Sequence, residues 1–465
     1  MAGIYLEGTS KVLSGVYTLI QAAVTRVTMG ARGIVAYPFT SDWGPINSLE
    51  TVIMASEFKA MYNGAATALT AAKVYKHAFS GKPQRVLSYR MATGLAAKGT
   101  AVLDDVESAP SLTLATLYES ARAFTAVVKA GTSGGVIVEI LEGAVKLVSV
   151  EGATVADLAA KLNVTDYVRA TAGTTLPAVT AGVAFAGGNN GSVATTTEYE
   201  AFLDELEADG TPSAFSLDAV SDDTILATVR TWVTRVREEG IYITFVQGGP
   251  TGWDVTIADA NTKSKSVNYK GIINVGNGVD GYTAAEMAIF IAARVASVAL
   301  NMTLTDEIAP YVAVNKKLKP GERVVAKESG TLVFVQDGSV VLIDEGINTL
   351  TVPPAGEVVE FGKIRINNAL DYIAKDLEKF GDEYKRTRSN TQEARETYAA
   401  AVETSYLKPL ETLEVIQDGY FYRPDPDYHG KDAVFTPKID EAYFYGDITP
   451  VDSMERLYQK IGVHF

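Results

Sequence analysis

The chain contains no cysteine among its 465 residues, which excludes disulfides, thiolate catalysis, Fe–S clusters and cysteine zinc sites. Histidine is almost as scarce. His77, His429 and His464 lie in three separate regions, so a histidine-based acid, base or metal centre has little to draw on, although carboxylates are plentiful. No run of about 18 apolar residues occurs, and no membrane span is expected. The opening MAGIYLEGTSK lacks both the basic and the apolar stretch of a secretory signal, so the expectation is synthesis in a cytoplasm. No internal repeat of about 20–50 residues is evident. Positive charge is in deficit, with 41 Lys and Arg against 56 Asp and Glu, a net charge of −15. That argues against nucleic acid or an anionic membrane as the main partner. It also makes packed copies repel, so a polymer needs strong local contacts or basic patches facing acidic ones.

What is present is the composition of a globular protein, 47% hydrophobic and 21% charged, with a length that suggests about three domains at ~150 residues each. Both ends read as strands without an obvious partner. From Met454 to Phe465, the residues Ile461, Val463 and Phe465 fall on one face of an extended chain, and Lys460, Gly462 and His464 on the other. Gly15 to Thr28, with Val16, Thr18 and Ile20, is similarly rich in β-formers. A lone strand presents unpaired N–H and C=O groups to other chains, so these arms predict exchange with neighbouring molecules.

Between the arms, Gly30 to Phe39 reads as a buried strand, Trp43-Gly44-Pro45 as a turn, Ser56 to Asn63 and Thr67 to His77 as helices, and Gln84 to Met91 as an alternating strand. From about 101 to 183 the chain turns rich in Ala, Gly, Thr and Val. There, Gly135 to Leu141 and Ala144 to Val150 predict a hairpin, Thr154 to Leu162 a short helix, and Ala172 to Gly182 an exit linker. The next stretch alternates. Thr195 and Glu198 form a capping box, Ala214 to Leu217 is a strand, and Asp222 and Asp223 open a helix closing at Gly240. Ile241 to Gln247 and Gly271 to Val275 are strands, and Ala284 to Leu300 is a helix apolar nearly all round. Strands alternating with helices imply a covered, largely parallel sheet. Leu332 to Ile343 predicts a hairpin around Asp337-Gly338, Ile364 to Phe380 a helix, and Ser389 with Gln392 the start of another. An aromatic, turn-rich segment from Tyr420 to Tyr445 follows, which suits either loop packing or an intersubunit surface.

Few motifs carry chemistry. Gly131-Thr132-Ser133-Gly134-Gly135 has the spacing of a nucleophile elbow, but that needs a strand before and a helix after. Here a helix-like segment precedes and a strand follows, so a flexible turn is the reading. Gly187-Gly188-Asn189-Asn190-Gly191 and Gly276-Asn277-Gly278 resemble phosphate-loop fragments, without a complete G-x-G-x-x-G or a Walker lysine. Because Gly276 follows a strand and precedes a helix, a nucleotide-binding α/β enzyme using the Gly276–Gly278 turn and Asp280 stays open as an alternative. Asp425, Asp427, His429 and Asp432 fail the EF-hand template, with Thr436 at the position of the bidentate glutamate. Tyr384 to Arg388 is a basic island suited to an acidic partner. A surface-layer or adhesin module would need secretion, which nothing at the N-terminus supports.

Taken in order, several segments resemble the tail sheath proteins of contractile-tailed phages and of the phage-tail-like particles of Gram-positive bacteria. They are Gly15-Val16-Tyr17, Arg32 to Ala36, Trp43-Gly44-Pro45, Phe185 to Gly191 before a helix with Tyr199 and Leu203, Gly346 to Leu350, Phe361 to Arg365, and Met454 to Tyr458. The resemblance spans nearly the whole chain. It implies an α/β to α+β multidomain subunit with no enzyme activity and no cofactor or metal. Its parts would be an N-terminal arm (1–28), a discontinuous central α/β domain (29–100 and 184–345), a small inserted α+β domain (101–183) and a C-terminal inner domain (346–465). It further implies strand exchange through Val16, Thr18, Ile20, Ile461, Val463 and Phe465, and contraction by rigid-body rearrangement. The partners implied are other copies, a tail tube, baseplate and tail terminator proteins, with no nucleic acid and no direct membrane insertion. The place is a virion tail or tail-like particle assembled in a host cytoplasm. Charge points to Lys385, Arg386 and Arg388 as tube contacts. The plain 101–183 region carries no receptor- or glycan-binding feature.

Overall fold

The apolar runs at 34–39 and 272–275 are too continuous for a half-exposed sheet, and they become strands covered on both faces, as do the more polar 85–90 and 244–248. The structure, a computed structural model, describes residues 32–62 and 69–460, together with the backbone of 2–4 and 16–18. It divides into two compact units: Ala31–Asp371 with Ser453–Phe465, and Met1–Gly30 with Tyr372–Asp452.

The larger unit is built on a seven-stranded sheet. Its strands are β1 (Ile34–Phe39), β2 (Leu49–Val52), β3 (Arg85–Arg90), β4 (Ala214–Ser216), β5 (Thr244–Gly248), β6 (Ile272–Val275) and β7 (Thr331–Leu332). They lie in the order β7-β6-β5-β4-β1-β3-β2, all parallel except β2 at the edge. Alternation along each strand feeds two cores. Val35, Tyr37, Phe39, Val86, Val246 and Ile273 pack on the side of helices Ala71–Ser80 and Ala284–Ser297. Ile34, Ala36, Leu87, Tyr89, Phe245 and Ile272 pack on the side of helices Thr196–Asp209 and Asp223–Glu238. Helix Ala284–Ser297 starts at a capping box in which Thr283 N donates to Glu286 Oε2 at 2.8 Å and Glu286 N donates to Thr283 Oγ1 at 3.2 Å. Tyr37 on β1 donates to the Ile289 carbonyl at 2.7 Å, which fixes the helix over the sheet.

The chain leaves this sheet at Thr93 and returns at Ser192, whose N–H donates to Thr93 Oγ1 at 2.7 Å. Bridges Ala97–Asn189 and Thr100–Ala186 close a neck between the outgoing and returning chains. Gly188 sits where a Cβ would lie 2.1 Å from the Ser120 carbonyl oxygen, so the returning chain passes this close to Ser120 only with glycine there. Beyond the neck are a four-stranded sheet (Val145–Gly152, Val136–Glu142, Phe124–Ala130, Thr180–Ala184) and a three-stranded sheet (Val168–Ala172, Pro110–Thr116, Thr100–Asp104). Helix Val155–Leu162 packs with both around a shared core that includes Leu112, Leu114, Phe124, Ile140 and Leu158. Two expectations fail here. The segment before Gly131 is the strand Phe124–Ala130 rather than a helix, because Phe124, Ala126 and Val128 alternate into the core. The supposed linker 172–182 ends one strand and begins another.

Arg90, at the end of β3, is fully buried. Its Nε and Nη1 donate to the carbonyls of Ser41 (3.0 Å) and Gly44 (2.7 Å), and Nη2 to that of Glu119 (2.7 Å). Trp43, in the same turn, inserts into the core beyond the neck, 5.3 Å from Tyr118 and 5.6 Å from Phe124. Arg122 lies over its ring at 4.9 Å while pairing with Glu142.

In the smaller unit, helix Gln392–Val402 and the short helix Lys408–Thr412 flank a two-stranded antiparallel sheet of Phe421–Pro424 and Phe444–Asp447. The helix N-cap is Thr391, which accepts from Ala394 N at 3.1 Å, not Ser389. Strand Val16–Thr18 pairs in parallel with Ala2–Ile4, so Val16 and Thr18 have a partner within their own chain. Ile20, Ile461, Val463 and Phe465 lie outside the described residues. The strand expected from Met454 is absent over 454–460. Glu455 and Arg456 are both held by ion pairs to the larger unit, which breaks an alternating pattern.

Replacing Arg90 by Met leaves three buried carbonyls without a donor, at about 1–3 kcal/mol each. Urea unfolding of Arg90→Met should therefore show a loss of about 3 kcal/mol or more. A second outcome concerns His77, which is buried with Nδ1 2.9 Å from the Tyr311 hydroxyl. Burial pushes its imidazole down to about 4 from the usual 6.5. The unfolded chain takes up this proton near pH 6.5, whereas the folded chain resists until near 4. Stability present at neutral pH is thus lost as pH falls through that window, by up to about 3 kcal/mol. Between pH 7 and 5 the unfolding midpoint of the native protein should drop further than that of His77→Gln.

Candidate assembly site

Sheets like this one bind ligands beyond the carboxyl ends of their strands, at the crevice where strand order reverses. Here the chain runs from β1 to β3 on one side and later to β4 on the other, so the crevice lies between β1 and β4. It is filled from within. Asp218, just past β4 and 4% exposed, accepts from the Tyr199 hydroxyl at 2.7 Å and from Thr70 Oγ1 at 2.5 Å. Thr70 Oγ1 in turn accepts from Thr40 N at 2.8 Å. Burial raises the Asp218 carboxyl above the ordinary range. The Gly276–Gly278 turn beyond β6 is likewise occupied. Gly278 N donates to Asp254 Oδ1 at 2.7 Å and Gly276 N to the Leu332 carbonyl at 2.8 Å, so neither amide is left for a phosphate. Asn277 is committed at both ends of its amide to the Phe334 backbone. A Cβ on Gly278 would lie 1.8 Å from the Tyr282 carbonyl oxygen, so glycine there serves close packing. The Gly131 turn sits between two strands and so is no elbow. Asp425 caps the short helix Pro426–His429, and His429 Nε2 accepts from Tyr443 N at 2.9 Å. Burial lowers the His429 imidazole. Among the described residues, no three His, Asp or Glu side chains gather as metal ligands.

The smaller unit presents a different kind of site. In its two-stranded sheet, Tyr422 lies opposite Gly446 and Pro424 opposite Phe444. Tyr422 N donates outward to Glu403 Oε1 at 2.8 Å, and Pro424 has no N–H to offer, so this edge is guarded. The same register turns the main-chain groups of Phe444 and Gly446 toward the other edge. Among the described residues nothing pairs with that edge, and Tyr445 is 47% exposed there. Beneath the sheet lies an aromatic layer: Tyr422 stacks on Phe444 at 5.6 Å, and Tyr398 meets Phe444 at 4.9 Å. Burial raises the Tyr398 and Tyr422 hydroxyls above their ordinary value. A cavity of about 430 Å³ opens beside this layer, lined in part by Tyr384, Arg388, Arg395, Tyr422 and Phe444.

Of the basic island, Lys385 ends helix Ile364–Lys385 and pairs with Asp382. Arg386 and Arg388 are exposed, and Arg388 borders the cavity. The open edge was not legible in the sequence, since edges are set by what packs where. The aromatic spacing from Tyr420 to Tyr445 was its one signal.

Three segments quoted above as family-like also meet at one corner of the larger unit. Ile347 bridges Lys363, Ile364 N donates to the Gly346 carbonyl at 3.0 Å, and Lys363 pairs with Glu455.

Comparison with known proteins gives first the class. The fold is that of contractile sheath proteins. It matches the sheath tail protein of Desulfitobacterium hafniense with a TM-score of 0.71, at 22% identity, over 94% of this chain and 100% of that one. It also matches the helical sheath of the anti-feeding prophage in the contracted state, at 0.57 and 10% identity, over 98% and 99%. Sequence comparison adds a family model over part of the chain. Residues 192–349 match the phage tail sheath protein central domain. The tail sheath protein of Clostridium phage phiCD119 is 27% identical over 204 residues, covering 41% of this chain and 51% of that protein. Protein YqbK of Bacillus subtilis (strain 168), described as uncharacterized, is 25% identical over 99% of both chains. The chain is thus similar to tail sheath proteins at residues 192–349 in sequence, and over nearly its whole length in fold.

With both crevices occupied by the protein's own carboxylates, titration calorimetry with ATP, GTP or NAD should give no saturable heat. A saturable signal abolished in Gly278→Val would revive the nucleotide-site alternative.

Proposed function

We propose that this protein is the structural subunit of a contractile tail sheath, and that its copies join by strand addition at the open edge of the sheet 421–424/444–447. The sheath role is carried by the tail sheath central domain at 192–349 and by a fold shared over nearly the full chain with a contracted sheath. The protein is part of a phage tail or tail-like particle, where it forms a helical polymer and meets a baseplate. In the finer reading, the polymer surrounds a tail tube and ends at a terminator protein, and the particle is assembled in a bacterial cytoplasm. The protein works without catalysis or cofactor. The filled crevices at Asp218 and Asp254 support the last point.

Strand addition is supported by the guarded and open edges. An added strand would hydrogen-bond to Phe444 and Gly446 and direct alternate side chains toward the Tyr422–Phe444 layer. The donors are the terminal arms, with Val16, Thr18 and Ile20 at one end and Ile461, Val463 and Phe465 at the other. Lys385, Arg386 and Arg388 are the residues offered to an acidic tube. Contraction is then a rigid-body change between subunits that stay tethered.

Deleting Leu457–Phe465 should leave a folded monomer of unchanged unfolding temperature that forms no sheaths when produced with its tube protein, as seen by negative-stain microscopy. Normal sheaths from the truncated chain would overturn strand addition.

A further inference from the structure

The segment Ser453–Lys460 returns to the larger unit without burying its apolar side chains. Met454 is 78% exposed, Leu457 66% and Tyr458 91%. What holds the segment is charge at two consecutive residues. Glu455, with its side chain only 11% exposed, pairs with Lys363 and accepts from Thr305 Oγ1 at 2.8 Å. Arg456 lies 3.7 Å from Glu345, which is also paired with Lys327. Thr305 Oγ1 accepts from Gly346 N at 3.0 Å, so Glu455 docks on the corner where the chain enters helix Ile364–Lys385.

We propose that Glu455 and Arg456 form a clamp that fixes where the C-terminal arm leaves the subunit, and so sets how far that arm reaches to a second copy of this chain. The proposal rests on the sheath reading above. From Leu457 to Phe465 there are nine residues, a span of at most about 30 Å when extended. Without the clamp the free length begins at Ser453 and gains four residues, about 13 Å more when extended. A short tether transmits the displacement of one subunit to the next, whereas a longer one absorbs part of it. Glu455 and Arg456 are thus positioning residues that contribute no pairing of their own.

The test uses the full chain with Lys363→Glu, Glu455→Lys and the two combined. Hydrogen exchange of the monomer is expected to speed up about tenfold or more over 454–457 in each single variant, with helix Ala284–Ser297 unchanged, and to recover in the double variant. Cryo-electron microscopy should show irregular subunit spacing in sheaths of the single variants and regular spacing in the double. If a charge reversal also loosens helix Ala284–Ser297, Glu455→Gln, which keeps the shape, gives the same reading. The proposal is overturned if 454–457 already exchange at the rate of an unstructured chain in the native protein, or if the single variants match it. Monomer exchange reads the clamp without any polymer. A protected segment beside a chain that assembles after loss of Leu457–Phe465 would sink strand addition alone.

Discussion

One guanidinium joins three parts of the larger unit that sequence keeps apart. Arg90 belongs to the central sheet, its partners Ser41 and Gly44 to the turn carrying Trp43, and Glu119 to the domain beyond the neck. Its three acceptors are neutral carbonyls, and the carboxylates of Glu119 and Asp42 favour the charge from farther off. Burial pushes it down to about 10, which leaves it protonated at neutral pH. The carbonyls gain as much as the cation does: each belongs to irregular chain with no ladder to join, and buried main-chain groups of that kind need a partner. A lysine could not satisfy all three from a fixed plane. The Trp43 turn is set by the same contact, and through it the aromatic cluster with Tyr118 and Phe124.

The central sheet has the layout of a ligand-binding fold with its crevices filled from within. Both places where such sheets receive small molecules hold a carboxylate of the chain itself, Asp218 at the crevice and Asp254 at the glycine turn. These contacts tie loops from distant parts of the sequence: Thr40, Thr70 and Tyr199 around one, Gly278 and Asn315 around the other. The unit is stiffened in this way from two sides. The bidentate pair of Arg237 with Asp371, at 2.9 and 2.8 Å, adds a further fixed point at the root of helix Ile364–Lys385.

Long apolar runs were readable because they report burial directly. The runs at β5, β6 and helix Ala284–Ser297 announce a doubly covered sheet, and Thr195–Glu198 and Asp222 mark helix starts that the structure keeps, Glu198 accepting from Thr195 N at 2.7 Å. The strands Pro110–Thr116 and Phe124–Ala130 went unread because Thr and Ala dilute the alternation of Leu112 and Leu114 or Ala126 and Val128. Arg90, in an alternating strand, gave no sign of burial, since its three acceptors come from other segments. The terminal segment misled in the opposite direction: its period-two pattern is real, but Glu455 is held by side-chain charge on a surface that only the fold creates. The aromatic segment could be read as a surface or a core, and the structure makes it both, with Tyr422 and Phe444 inward and Tyr445 outward.

The neck at Ala97–Asn189 and Thr100–Ala186 brings outgoing and returning chain to the separation of neighbouring strands, about 5 Å. A compact module whose own ends lie that close would fit the same two attachment points if it also offered a carbonyl to Arg90 and a pocket for Trp43. The region beyond Gly99 and Gly188 is therefore free to be enlarged or shortened away from those two contacts. In a polymer of many copies, every such change would be repeated at each lattice position.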